Sequence, residues 1–240
     1  MKRILVIAGT DSSGGAGLTR DTAVAGELGC AIKPVVTCVT AQTNSALLHI
    51  HQVPPQVVAA QIEAACADSP PDAIKIGMLG SADSADTVAV ALADKDIPIV
   101  VDPVLKSSSG GALFLGESLQ HIFSMATLLT PNLDEAAVLA RSSVAVSEHD
   151  IAMQAEGLRH QGAQAVLIKG GHGEGDDCVD LLFQASQRHH FSAARLSKGR
   201  RGTGCSLATA IACHLAQGQD VQHAVARSKA YIHNWIAEAN

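Results

Sequence analysis

Ile4-Leu-Val-Ile-Ala8, Gly9-Thr-Asp-Ser-Ser-Gly14-Gly15-Ala-Gly17 and the helical pattern from Thr19 to Leu28 follow one another without interruption. A short apolar run rich in β-branched residues, a glycine-rich turn and a helix form one strand-turn-helix unit. Outward from it, the runs Val35 to Thr40, Ala73 to Ile76, Ile97 to Asp102, Ala126 to Leu129 and Ala165 to Lys169 also read as strands, most of them buried on both faces. Helical patterns at Pro55 to Ala67, Ser84 to Ala93, Leu115 to Phe123, Leu133 to Ala140 and Ser147 to His160 alternate with them. This order predicts an α/β fold: three αβα layers around a doubly wound, mostly parallel sheet, with ligands at the carboxyl ends of its strands. The last third changes character, with a hairpin expected at Val179 to Phe183 and Gln187 to Phe191 and helices at Ser206 to Gln217 and Val221 to Glu238. Neither repeat, linker nor low-complexity tract interrupts the chain, so a single domain over 1–240 is expected.

Composition narrows the function classes. Aromatic residues make up 2% of the chain and Ala, Val, Ile and Leu dominate, which suits parallel strands and close-packed helices better than an antiparallel sandwich. The 17 Lys and Arg against 23 Asp and Glu give a net charge of −6 without a basic block, so a nucleic-acid partner is not expected. The first apolar run is too short for a signal-peptide core, and no stretch reaches the roughly 18 residues of a membrane span. The expectation is a cytoplasmic protein without a membrane partner. Its six cysteines lack both a C-x-x-C pair and a His at zinc-ligand spacing, and read as free thiols of a reducing compartment. A homodimer is the default oligomer, being the commonest.

Five stretches could carry chemistry. Gly202-Thr203-Gly204-Cys205-Ser206 opens an apolar helix, where glycine backbone N–H groups and the helix amino end can form an anion hole of the kind phosphoryl transfer needs. The plain alternative is a glycine-rich helix entry with hydroxyl capping. The cluster Gly9 to Gly17 fits neither G-x-G-x-x-G nor a phosphate loop, which disfavours a dinucleotide oxidoreductase. It is either an ordinary turn or a close approach to a flat ligand, with Asp21 one helical turn further on and able to reach an amino group. Asp102 ends a strand where a divalent cation bridging phosphates could sit, and 106–111 (Lys-Ser-Ser-Ser-Gly-Gly) could move as a lid; an Asp-Pro turn with a loose loop is the alternative. Asn132 and Glu135 share one face of a helix start, as cap or as site. Lys169, before Gly170-Gly171-His172, could meet a nucleotide phosphate. All five would converge on one edge of the sheet.

In order, IAGTDSSGGAG (7–17), TAQ (40–42), KIGML (75–79), DPV (102–104), TPNLDEA (130–136), IKGGH (168–172) and RGTGCS (201–206) closely resemble the hydroxymethylpyrimidine/phosphomethylpyrimidine kinases of thiamine biosynthesis, members of the ribokinase-like superfamily. The resemblance covers nearly the whole chain. It implies ATP-dependent phosphorylation of 4-amino-5-hydroxymethyl-2-methylpyrimidine and then of its monophosphate. Carried onto this sequence, Gly9, Asp21 and Gln42 would line the pyrimidine pocket, with Met78 and Val104 beside the ring. The Gln42 amide offers the donor and acceptor an aminopyrimidine edge requires. Gly202 and Gly204 would supply the anion hole, and Cys205 stands where sugar-kinase relatives carry an Asp base. The helix amino end should favour its thiolate, and nearby phosphates should oppose it. Asp102 and Glu135 would organise Mg2+, while Lys169, Asn132 and Thr203 would contact ATP.

Three stretches depart from the family's pattern. Thr43-Asn44 follows Gln42 where relatives usually read Asn-Thr, and Arg201 precedes the G-T-G-C where many carry His. Arg201 could clamp a phosphate or serve only as a solvated rim. Relatives that also phosphorylate vitamin B6 aldehydes can carry a second Cys in the lid, where this chain has Lys106-Ser107-Ser108. The rival readings are a pyridoxal kinase on the same fold and a catalytically silent pyrimidine-binding regulator.

Overall fold

The computed structural model describes residues 1–105, 119–171 and 175–238. Its first half runs β1 (Arg3–Ala8), α1 (Gly17–Glu27), β2 (Ala31–Val36), β3 (Cys38–Gln42), β4 (Leu47–Gln52), α2 (Pro55–Ala67), β5 (Ala73–Ile76), α3 (Ala82–Leu92) and β6 (Ile99–Val101). The second runs α4 (Gln120–Ser124), β7 (Leu128–Leu129), α5 (Leu133–Leu139), α6 (Glu148–His160), β8 (Ala165–Ile168), β9 (Asp177–Gln184), β10 (Gln187–Ala194), α7 (Thr203–Ala216) and α8 (Val221–Ala237). Eight strands form one sheet in the order β10-β9-β8-β7-β6-β5-β1-β2. Strands β2, β1, β5, β6, β7 and β8 run parallel, whereas β9 is antiparallel to β8 and pairs with β10 as the expected hairpin.

The alternation of side chains along β1 explains the layers, because successive residues face opposite sides of a sheet. Leu5 and Ile7, with Ile74, Ile76, Ile99 and Val101, join a core closed by Val58 and Ile62 of α2, Val88 of α3, Phe123 of α4 and Leu158 of α6. Ile4 and Val6 face the other way, onto Leu18 and Ala25 of α1 and Cys213 of α7. Further along that second face, Val100, Leu128 and Leu167 meet Leu207 and Ile211 of α7 and Val225 and Ile232 of α8. Each such side chain contributes about 1.5–3 kcal/mol on burial. Every residue of α7 from Ser206 to Ala216 is buried, which its small residues allow by letting the sheet, α1 and α8 approach closely.

The strand order reverses at β1, flanked by β2 on one side and β5 on the other. At such a switch point the chain leaves in opposite directions and opens a crevice at the carboxyl ends. Gly9 and Gly77 begin the segments that leave β1 and β5 there.

Two expectations need correction. The run at 35–40 is not one strand: β2 ends at Val36, and β3 leaves to pair with β4 in a separate two-stranded sheet. Between them, buried Thr37 donates its hydroxyl to the Met78 carbonyl (2.6 Å) and its amide to the Ala8 carbonyl (3.1 Å). Strand β4 has no counterpart in the sequence reading. The helix expected from Leu115 to Phe123 falls partly outside the described residues, whose part of it is α4.

Candidate active site

Asp102 follows β6 and is almost wholly buried. Its Oδ1 accepts Lys169 Nζ at 2.9 Å, and Thr130, beyond β7, offers its hydroxyl to the same atom at 3.5 Å. Lys169 Nζ is also 3.9 Å from Glu135 Oε2. Glu135 and Asn132 form a capping box on α5: the Glu135 amide donates to Asn132 Oδ1 and the Asn132 amide to Glu135 Oε2, both at 2.8 Å. The capping reading holds, and an isolated bridge between Asn132 and Lys169 extends the β7–β8 pairing and brings the cap beside the Asp102–Lys169 pair. Burial opposes the charge on Lys169, but Asp102 and Glu135 outweigh it and hold the ammonium above its ordinary range. Burial raises the Glu135 carboxyl.

Helix α7 enters this cluster amino end first. Gly202, its N-cap, is left-handed (φ 75°), and a Cβ there would collide with the Gly15 carbonyl oxygen. No side chain caps the helix. A Cβ on Gly204 would sit 3.3 Å from Lys169 Nζ and 3.8 Å from Asp102 Oδ2. The sequence-distant pieces 102, 169 and 204 therefore share one point. The Thr203 hydroxyl is turned back onto the Arg200 carbonyl (2.5 Å).

Cys205 is partly buried in the first turn of α7. Burial pushes its thiol up to about 11, and the opposing pull of Lys75 is not enough to reverse this. Between the helix end, which favours the thiolate, and burial, which opposes it, burial prevails: the desolvation of the sulfur exceeds the stabilisation from its surroundings.

Beneath this point lies an ion pair the sequence reading missed. Lys75 of β5 and Asp21 of α1 meet at 2.9 Å with no exposed side-chain surface. The second Asp21 oxygen accepts the Thr209 hydroxyl at 2.7 Å. Both Asp21 oxygens are thus engaged within the protein, and neither is free for a ring amino group. A Cβ on Gly77 would be 2.8 Å from Lys75 Nζ, so glycine there makes room for the ammonium. The signal was Lys75 itself, a cation inside the apolar run Ala73 to Ile76 that needed a buried partner.

The remaining wall is built by the 9–16 loop against β3. A Cβ on Gly9 would lie 2.7 Å from Cys38 Sγ and 3.2 Å from Met78 Cε. Ser12 Oγ donates to the Gln42 carbonyl (2.9 Å) and accepts the Gln42 amide (2.8 Å), so buried Gln42 is tied to that loop. Val104, partly exposed, turns back so that its amide meets the Asp102 carbonyl at 2.8 Å. Arg201 is neither a bare phosphate clamp nor a loose rim residue: it bonds Asp11, Ser13, Thr43 and Asn44. Two of the departures from the family's pattern, Asn44 and Arg201, are therefore in contact. The residues 106–111 and His172 lie outside the described residues.

The phosphomethylpyrimidine kinase family matches residues 11–240. The chain belongs to that family. The hydroxymethylpyrimidine/phosphomethylpyrimidine kinase of Streptomyces coelicolor is 42% identical over 234 residues, covering 95% of this chain and 86% of that protein. The thiamine biosynthesis bifunctional protein ThiED of Geobacter sulfurreducens is 40% identical over 235 residues, and the chain spans 48% of its length. Among solved structures, the phosphomethylpyrimidine kinase of Clostridium difficile 630 superposes with a TM-score of 0.86 at 32% identity, over 98% of this chain and 100% of that one. The pyridoxal kinase of Staphylococcus aureus in complex with ADP gives 0.90 at 30% identity, over 98% and 88%. For a phosphomethylpyrimidine kinase, then, the cluster of Asp102, Lys169 and the amino end of α7 sits at the edge of the sheet where the motifs of the sequence were expected to meet.

Proposed function

We propose that this protein transfers the γ-phosphoryl group of ATP to 4-amino-5-hydroxymethyl-2-methylpyrimidine and then to the resulting monophosphate, giving the pyrophosphate used in thiamine diphosphate biosynthesis. The observation that carries this reading is the meeting of Lys169, Asp102 and the uncapped first turn of α7, with Gly204 3.3 Å from Lys169 Nζ at its Cβ position. Most of the catalysis in phosphoryl transfer is positioning and fixed charge, and this point supplies both.

Gly202 and Gly204 cradle the moving phosphoryl group with backbone N–H groups, while Lys169 neutralises the nucleotide phosphates. Asn132 has its side-chain oxygen and its backbone N–H committed to the α5 cap and offers its side-chain Nδ2 to the nucleotide; Thr203 acts through its backbone. The pyrimidine lies against Gly9, Met78 and Val104, with its ring nitrogen and amino group on the Gln42 amide. Asp21 acts from below, fixing Lys75 under the reacting groups. Cys205, its thiol held above the ordinary range by burial, accepts the hydroxyl hydrogen bond and aligns the oxygen lone pair; as the new O–P bond forms and the bond from the γ-phosphorus to the ADP oxygen breaks, the hydroxyl proton passes late to an oxygen of the transferred phosphoryl group.

Mg2+ fits beside Asp102 and Glu135. Both carboxylates face Lys169 Nζ, at 2.9 and 3.9 Å, so the ion would be held by their oxygens beside the ammonium; among the described residues no three His, Cys, Asp or Glu side chains could enclose a metal by themselves. Two carboxylates completed by phosphate oxygens are the usual Mg2+ arrangement. Bound there, the ion would neutralise charge on the β- and γ-phosphates.

The reading extends to one kinase unit over the chain, working in the cytoplasm on small molecules, with a homodimer as its default state. The net charge of −6 and six free cysteines support that setting. Among the described residues no helix is long and apolar enough to cross a membrane. Because a pyridoxal kinase superposes as well as a pyrimidine kinase does, pyridoxal belongs in the test. ADP release with ATP and Mg2+ is to be measured with hydroxymethylpyrimidine, its monophosphate and pyridoxal in turn. Turnover of both pyrimidines is expected; turnover of pyridoxal alone, or pyrimidine binding without ADP release, would overturn the reading.

A further inference from the structure

Arg201 stands immediately outside α7, and its guanidinium reaches two segments remote in sequence. Nη1 donates to Ser13 Oγ (2.6 Å), Asn44 Oδ1 (3.1 Å) and the Thr43 carbonyl (3.2 Å), and Nη2 donates to Asp11 Oδ2 (3.1 Å). Asp11 is nearly fully buried, and its other oxygen accepts both the amide and the hydroxyl of Ser13, at 2.9 and 2.7 Å. The 9–16 loop and the β3–β4 turn are thus fastened to one cation. Gln42 directly precedes Thr43, and Gly9 lies two residues before Asp11, so both flank the proposed ring pocket.

The main chain at 200–203 has anchors of its own. The Arg200 guanidinium lies 4.0 Å from the Trp235 ring centre and donates to the Trp235 carbonyl at 2.9 Å. The Thr203 hydroxyl closes on the Arg200 carbonyl. Removing the Arg201 side chain would therefore leave the amino end of α7 in place and loosen the tips of the two loops against it, while the Thr10–Thr40 and Ser12–Gln42 bonds still join the loops to each other. The two Nη atoms of the guanidinium meet four acceptors from two sides; a lysine ammonium, with its three donors on one atom, can reach only some of them.

We propose that Arg201 is a positioning residue for the pyrimidine: the 9–16 loop and β3 are already joined by the Ser12–Gln42 and Thr10–Thr40 bonds, and Arg201 fastens that wall to the amino end of α7, so that Gln42 is presented in register with it. This rests on the pyrimidine-kinase reading of the site. The tie acts on ring binding, while the phosphoryl-transfer groups are held independently.

The test compares wild type with R201A, R201K and N44A in steady-state kinetics and in backbone hydrogen exchange. R201A should raise KM for hydroxymethylpyrimidine about 10- to 100-fold, the loss expected for charge-assisted hydrogen bonds, with kcat and KM for ATP within about threefold. R201K should fall between R201A and wild type, and N44A added to R201A should cost nothing further, since the shared contact is already gone. In R201A the amides of 10–16 and 43–46 should exchange faster together, with α7 unchanged. A fall in kcat at constant KM, or independent penalties from R201A and N44A, would overturn the proposal. Should R201A fail to fold, N44A, on an exposed turn, must by itself raise KM and loosen the 10–16 amides; no change in either overturns it. If wild type turns over no pyrimidine, the substrate reading has failed and the proposal with it, while exchange still shows whether the loops are tied.

Discussion

Lys75 Nζ lies 2.9 Å from Asp21 Oδ2, and neither side chain exposes any surface to solvent. Desolvating both charges is costly, and their attraction offsets that cost only while the pair stays intact. Lys75→Met should therefore destabilise the protein by about 3–5 kcal/mol, because Asp21 would remain as a buried charge with only Thr209 for company. Lys75→Met combined with Asp21→Asn should recover part of the loss. Denaturant unfolding measures both; a loss below about 1 kcal/mol for the single variant would contradict the pairing.

Cys205 sets a pH window. Its thiol rises from 9.0 to about 11 in the folded chain, mainly through burial, so the native state holds this proton more tightly than the unfolded state. That stabilising contribution is complete below pH 9.0 and is lost as pH climbs toward about 11. Alkylation of Cys205, followed by peptide mass, should be slow at neutral pH and accelerate throughout that rise. Labelling at pH 7 as rapid as that of a free thiol would show the opposite. Cys205→Ala should lower turnover with little change in ATP affinity; unchanged turnover would remove the sulfur from the reaction.

Gln42 has its backbone fixed by Ser12, so its side chain can be altered without moving the strand. Gln42→Ala should weaken pyrimidine binding by about 5- to 150-fold, as expected when a ring edge loses matched partners, and leave ATP binding unchanged. Titration calorimetry with each ligand separates the two. Normal pyrimidine binding with lost ATP binding would refute the pocket assignment.

Gly202 cannot carry a side chain without a double cost. Its left-handed φ of 75° penalises an L-residue, and the Cβ would run into the Gly15 carbonyl. Gly202→Ala should cost more than about 1 kcal/mol and lower turnover through displaced first-turn N–H groups. Thermal unfolding and initial rates on the same preparation measure both; wild-type values in each would contradict the anion-hole geometry.

The main sheet was legible because the walls of its core alternate residue by residue: Ile4 and Val6 against one layer, Leu5 and Ile7 against the other. Leu47 to Gln52 was not, since β4 carries mostly exposed or half-exposed residues outside that sheet and has no burial pattern to display. The run at 35–40 concealed a break because Thr37, a good strand former, bonds outward to Met78 instead of continuing the ladder. Within the site, motif order located Asp102, Lys169 and Gly204. It could not locate the partners of Arg201, which lie up to 190 residues away, nor the outcome for Cys205, where a helix end and burial act in opposite directions. Such balances depend on how deeply a sulfur sits, and depth is set by residues far along the chain.

The most direct measurement is the mass of the products formed from hydroxymethylpyrimidine with ATP and Mg2+. The geometry around Lys169, Asp102 and Gly204 predicts two successive phosphoryl additions, each matched by one ADP released. A bound pyrimidine that emerges unphosphorylated, with ATP intact, would contradict the account.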